Sequence, residues 1–110
     1  MNSYTAAGIA NKQGGATFGV LGEFCPQEGF FVSVEGQEKR SPILTGVTIT
    51  VYLLEHRPKE GQFFGLWLSE GVWYLDITEW FLSEKEARFA GRFRQQKTIW
   101  DCSKKEAITP

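Results

Sequence analysis

Gln62-Phe63-Phe64-Gly65-Leu66-Trp67-Leu68 and Val72-Trp73-Tyr74-Leu75-Asp76-Ile77-Thr78, joined by Ser69-Glu70-Gly71, are the stretch that decides how this chain folds. Both arms are rich in aromatic and β-branched residues, which fit a pleated backbone better than a helical one. The joint reads as a three-residue hairpin loop with Gly71 in the left-handed region. Side chains alternate along a strand. Trp73, Leu75 and Ile77 therefore share one face, and Tyr74, Asp76 and Thr78 share the other. The pattern predicts a half-buried antiparallel hairpin with the Trp73 face turned inward.

Downstream, Ser83-Glu84-Lys85-Glu86 has the spacing of a capping box, with Ser83 as N-cap and Glu86 reaching back. Ala87, Phe89, Ala90 and Phe93 form the expected apolar stripe of the helix that follows, with Lys85, Arg88, Arg92 and Gln96 facing out. Glu84 and Arg88 are a favourable i,i+4 pair. The small pair Ala90-Gly91 would let this helix sit close on a sheet. Lys97-Thr98-Ile99-Trp100-Asp101 reads as a last strand and Ser103-Lys104-Lys105-Glu106 as a turn.

Upstream, Ala16 to Leu21 and Phe30 to Val34 read as two strands. Between them Cys25-Pro26-Gln27-Glu28-Gly29 supplies turn chemistry, so the pair is expected to form a hairpin. Residues 1–15 show little periodicity and read as a flexible N-terminal arm, with 16–110 as one globular domain. Ile43 to Arg57 fits two templates. Val47, Ile49, Val51 and Leu53 alternate as in a strand, while Leu44, Val47, Val51 and Leu54 fall at helical spacing, with Thr45 placed to cap and Pro58 to terminate. Pattern alone favours the strand.

A length of 110 residues suits one domain. A hydrophobic fraction of 42% and an aromatic fraction of 15% supply a core and exclude a disordered tail. The net charge of −1 lacks the broad basic field that non-specific nucleic-acid binders use. No apolar run approaches the roughly 20 residues of a membrane helix. With no basic segment leading into an apolar one at the N-terminus, a cytoplasmic protein is expected. Cys25 and Cys102 are far apart, read as two thiols or as one long-range disulfide. With His56 as the only histidine the donor set for zinc is missing, so no metal and no cofactor is expected.

Gly65-Leu66-Trp67, Trp73-Tyr74-Leu75-Asp76-Ile77-Thr78, Glu86-Ala87 followed by Gly91, Gln96-Lys97-Thr98-Ile99-Trp100-Asp101 and Glu106-Ala107-Ile108 together resemble a group of small uncharacterised proteins of bacteriophages and other mobile elements. The resemblance covers Leu44 to Ile108. It implies a helix in the ambiguous segment, where Tyr52, Leu53 and His56 match the group's Tyr-Leu pair and later His. It carries no activity and no catalytic residue. The resulting expectation is an α+β domain with an antiparallel or mixed sheet and helices packed on one face, in the order β-β-α-β-β-α-β, the middle helix having a strand as its alternative.

Asp76 and Glu79 are carboxylates three apart, yet no histidine, nucleophile elbow or glycine cradle accompanies them. Asp76 is expected to satisfy a turn or to pair with an arginine of the following helix. His56-Arg57 suits a helix C-terminus. Enzymatic activity is not expected. The aromatic excess points elsewhere. Four Trp, nine Phe and three Tyr exceed what a small core buries, and Trp and Tyr beside Arg are the anchors of protein interfaces. Trp80-Phe81 between strand and helix and Tyr74 on the less buried strand face, with Arg88 and Arg92 on the rim, form the expected binding site, in which Tyr74, Trp80, Arg88 and Arg92 are the contact residues. Residues 1–83 carry net −4 and residues 84–110 net +3, which places a basic end beside these aromatics. The leading expectation is a small non-enzymatic protein-binding accessory factor, encoded by a phage or mobile element and modulating a host or defence protein. The alternatives are a small-ligand or nucleotide-binding module and a self-assembling structural protein.

Overall fold

The computed structural model describes residues 2–19 and 26–110. The elements are α1 (Ser3–Gln13), β1 (Gly15–Gly19), β2 (Phe30–Ser33), β3 (Lys39–Ser41), α2 (Gly46–Glu55), β4 (Gln62–Ser69), β5 (Val72–Phe81), α3 (Glu84–Phe93), β6 (Ile99–Asp101) and β7 (Glu106–Ile108). The strands form one antiparallel sheet in the order β1-β4-β5-β2-β6-β7, with β3 beside the first half of β5. A Cα radius of gyration of 13.0 Å is that of one compact domain of this length. The class is α+β.

The β4–β5 hairpin is the centre of the sheet, paired from Gln62↔Glu79 to Ser69↔Val72. Its loop is one residue shorter than expected. Ser69 pairs with Val72, leaving Glu70 and Gly71 at φ 50° and 78°. Positive φ at both central residues is the type I′ geometry, whose twist matches that of the flanking strands.

Alternation along β5 places all three helices on one face of the sheet. Trp73, Leu75 and Ile77 meet Phe64 and Leu66 of β4 and Phe18 of β1 beneath α1 and α2. Further along the same face, Phe81 joins Phe30, Val32 and Ile99 beneath Ala87 of α3. Gly91 lets α3 approach closely, since a Cβ there would stand 2.8 Å from Ile99 Cγ2. The expected small-residue contact is present.

Three expectations are corrected. Residues 1–15 are not a loose arm through most of their length: Asn2 caps α1 by accepting from the Thr5 N–H at 2.8 Å, and Gly14 ends it at φ 82°. The apolar face of α1 is made of alanines. Ala6, Ala7 and Ala10 are buried, and their small size brings α1 close to α2, where Tyr4 covers Gly46. β1 and β2 do not form a hairpin, because β1 pairs with β4 and β2 with β5 and β6. The remainder of the first expected strand and Cys25 lie outside the described residues. Two further strands, β3 and β7, were not expected, and the observed order is α-β-β-β-α-β-β-α-β-β.

The ambiguous segment is helical. Thr45 and Thr48 form a reciprocal capping box at its start, and Ile49 and Tyr52 are fully buried. Of its β-branched residues only Ile49 is buried, while Val47 and Val51 of the expected helical stripe are 59% and 41% exposed, so the helix is held by its cap and by the burial of Ile49 and Tyr52. In α3 half of the expected box is seen: Ser83 Oγ accepts from the Glu86 N–H at 3.2 Å. The expected stripe is also narrower, because Phe89 and Phe93 are 64% and 77% exposed and stack on each other.

Gly71→Val is therefore expected to lower stability by about 1 kcal/mol or more through left-handed strain. Ser83→Ala should cost about 1 kcal/mol by orphaning a first-turn N–H, with Lys85→Ala near zero. Thermal or urea unfolding of the three variants reads all three values. Equal effects from Ser83→Ala and Lys85→Ala would place the start of α3 elsewhere.

Candidate functional site

The face of the sheet that carries no helix is built from the even-numbered residues of β5 and their register partners. Tyr74 pairs with Trp67 of β4 on one side and Arg40 of β3 on the other. Cross-strand neighbours of this kind stand side by side on the sheet. The Trp67 and Tyr74 rings stack with centroids 4.5 Å apart, and the Arg40 guanidinium lies 5.2 Å from the Tyr74 centroid. Trp67 is 44% exposed.

At the far end of β5, Trp80 pairs with Phe31 of β2, which pairs in turn with Trp100 of β6. The Trp80 indole N–H donates to Glu28 O at 2.7 Å, and the ring lies against Gly29, whose φ of +84° keeps that backbone close. Trp80 is half-buried and held by this loop. Trp100 is 43% exposed.

Between the two aromatic ends sit Asp76, Thr78, Gly65 and Ser33. Asp76 is only 8% exposed. Ser33 Oγ donates to Asp76 Oδ2 at 2.6 Å. Opposite, Gly65 makes room, because a Cβ on it would stand 2.6 Å from Asp76 Oδ1. Burial pushes the Asp76 carboxyl up to about 6, with the Ser33 hydrogen bond acting against the rise and the charge of Glu38 adding to it. The expected partnership of Asp76 with a turn or a helix arginine is thus replaced by one with a strand serine. The arginine goes instead to Glu79, on the opposite face of β5. Arg94 pairs with Glu79 and also donates to the carbonyls of Val32 and Ser33. For Glu79 burial acts upward, but the bonds from Gln62 and Arg94 hold it below its usual range.

Of the four expected site residues, the structure brings together two. Tyr74 and Trp80 lie on the helix-free face. Arg88 and Arg92 lie on α3, across the sheet from them, and so do not rim that face. Arg88 pairs with Glu84 and donates to Thr109 O at 2.6 Å, while Arg92 donates to Pro110 O at 2.6 Å. These arginines hold the C-terminal residues against α3. Trp67, Trp100 and Arg40 belong to the face and were not singled out from sequence. Their signal was the register, since Trp67 opposite Tyr74 follows once the hairpin loop is counted as two residues.

His56 closes α2, stacked on Tyr52 at 4.8 Å with Nδ1 2.8 Å from Gln37 Oε1. Among the described residues no group of three or more His, Cys, Asp or Glu side chains is arranged to hold a metal ion. Cys102 is buried. Among the described residues no helix is long and apolar enough to cross a membrane.

The raised carboxyl of Asp76 sets a pH dependence. Its folded value of about 6 lies above its ordinary 3.8. Between those values the folded chain holds a proton that the unfolded chain has lost, so this group's contribution falls as pH rises from about 4 to 6 and is then level. Asp76→Asn keeps an acceptor for Ser33 and removes the penalty. The variant is expected to be more stable than the parent at pH 8, by no more than about 3 kcal/mol, with the advantage gone near pH 3.5. Urea unfolding of both proteins across this range measures the difference, in which the opposite contribution of Glu79 cancels. A variant less stable than the parent at pH 8 would contradict the assignment.

Compared with known proteins, the chain matches no family model, and no curated protein or solved structure shows significant similarity to it.

Proposed function

We propose that this chain is a small non-enzymatic protein-binding factor that docks through the helix-free face of its sheet. The observation that carries the reading is the two-ended aromatic surface: Trp67 on Tyr74 at one end and Trp100 beside Phe31 at the other, both tryptophans more than two-fifths exposed. Rigid amphipathic rings bury large area at small entropic cost, and tryptophan, tyrosine and arginine dominate the energetics of protein interfaces. The helices already cover the other face, so this is the side of the sheet left to a partner.

Enzymatic activity is not part of this reading: Ser33 and Asp76 are bonded to each other, and His56 lies across the sheet at the end of α2. The resemblance to proteins of phages and mobile elements fits an accessory factor that modulates a host or defence protein in the cytoplasm. The basic α3 face enters this reading only as structure, because Arg88 and Arg92 are engaged by the C-terminal carbonyls.

Affinity capture from a host lysate, followed by binding measurements on the purified partner, tests the reading. Trp67→Ala and Trp100→Ala should each keep the fold and weaken binding by about 2 kcal/mol. Phe89→Ala, on the opposite side of the sheet, should leave it unchanged. Binding that survives both tryptophan changes and is lost with Phe89→Ala would move the docking surface to α3.

A further inference from the structure

A groove runs along α3 on the helix-covered side of the sheet. Half-buried Val34, Phe81 and Ala90 form its floor, and Phe89 and Phe93 stand exposed along its wall. It holds about 830 Å³, room for several side chains. Phe93, 77% exposed and stacked on Phe89, is the most exposed large apolar side chain among the described residues. A hollow and a projecting pair of rings therefore lie side by side on one surface. An apolar patch of this kind inside a charged rim marks an interaction site.

The charges of the rim decide what fits. Ser83 caps α3 at one end of the groove, where Lys85 and Glu86 line it. At the other end Arg94 reaches the Val32 and Ser33 carbonyls at 3.4 and 3.3 Å, which puts the end of α3 beside Val34 and Glu35. Arg94 is paired with Glu79, while among the described residues Lys85, Glu86 and Glu35 form no ion pair. Turned end for end, this set is its own complement. Lys85 of one copy meets Glu35 of another, and Glu86 meets Arg94. A nucleic acid or an anionic lipid surface would meet Glu35, Glu79 and Glu86 instead.

We propose that this groove receives α3 of a second copy of the chain, the two helices running antiparallel about a two-fold axis. Phe93 of each copy then sits over Phe81 and Ala90 of the other. A two-fold contact uses one surface twice, so each favourable pair forms two times. The pairing goes beyond the docking reading above and does not depend on it, since the helix-free faces of both copies stay uncovered. One helix of 10 residues from each copy makes a small interface, so half the chains are expected to pair at about 100 µM.

Sedimentation equilibrium of the full chain from about 10 µM to about 1 mM tests the pairing. The apparent mass should rise from that of one chain toward that of two. Phe93→Ala should weaken the association about tenfold or more. Glu35→Lys and Lys85→Glu, both at exposed positions, should each weaken it about tenfold, because each turns two attractions into repulsions. The double variant, which exchanges the two charges, should restore it. Trp67→Ala, across the sheet, should leave it unchanged. A single-chain mass over the whole range would overturn the proposal. So would pairing that Phe93→Ala leaves intact, or a double variant as weak as the single ones. Loss of pairing with Trp67→Ala would overturn it too, by moving the contact to the helix-free face.

Discussion

Every part of this fold hangs on the ladder between β4 and β5. Eight residue pairs join the two strands, and β5 continues outward to pair with β3 along its first half and β2 along its second. A one-residue slip in that ladder would exchange the two faces of β5. Trp73, Leu75 and Ile77 would then turn away from α1 and α2, and the Asp76 carboxylate would enter the hydrophobic core. The Glu70-Gly71 turn fixes the register, and the cost of burying a carboxylate among Ile49, Tyr52 and Leu66 makes the alternative register untenable.

The consequence is a sheet with two unlike faces. One is closed by three helices in two adjoining clusters, drawn tight by the alanines of α1 and by Gly91 of α3. The other keeps aromatic rings at both ends and a carboxylate with small neighbours between them. Gly65 is the residue that makes this second face possible, because any side chain there would collide with Asp76. The polar and apolar requirements of one strand are met by alternation alone, and what is left over from the core becomes the docking surface.

Much of the architecture was legible in the residues. The hairpin and the start of α3 follow from local pattern, as does the Thr45 cap of α2, although choosing helix over strand there took the resemblance as well as the spacing. What was not legible depends on contacts distant in sequence or on residues without strong signals. The apolar side of α1 is made of alanines, which count little in a search for hydrophobic periodicity, so a packed helix read as an arm. β3 and β7 are three-residue strands, Lys39–Ser41 and Glu106–Ile108, that owe their conformation to their neighbours in the sheet. Asp76 and Ser33 are 43 residues apart, so no local pattern could pair them. Arg88 and Arg92 read as companions of Tyr74 and Trp80 because the sequence does not say on which side of the sheet α3 lies.

The division into a helix-covered and a helix-free face is tested most directly by hydroxyl-radical footprinting of the isolated chain, with oxidation at each tryptophan read by mass spectrometry. Trp67 and Trp100 are expected to oxidise readily, Trp80 more slowly beneath its loop, and Trp73 to resist until the protein unfolds. Fast oxidation of Trp73 with protection of Trp67 and Trp100 would mean that the two faces are exchanged, contradicting both the β4–β5 register and the docking surface built on it.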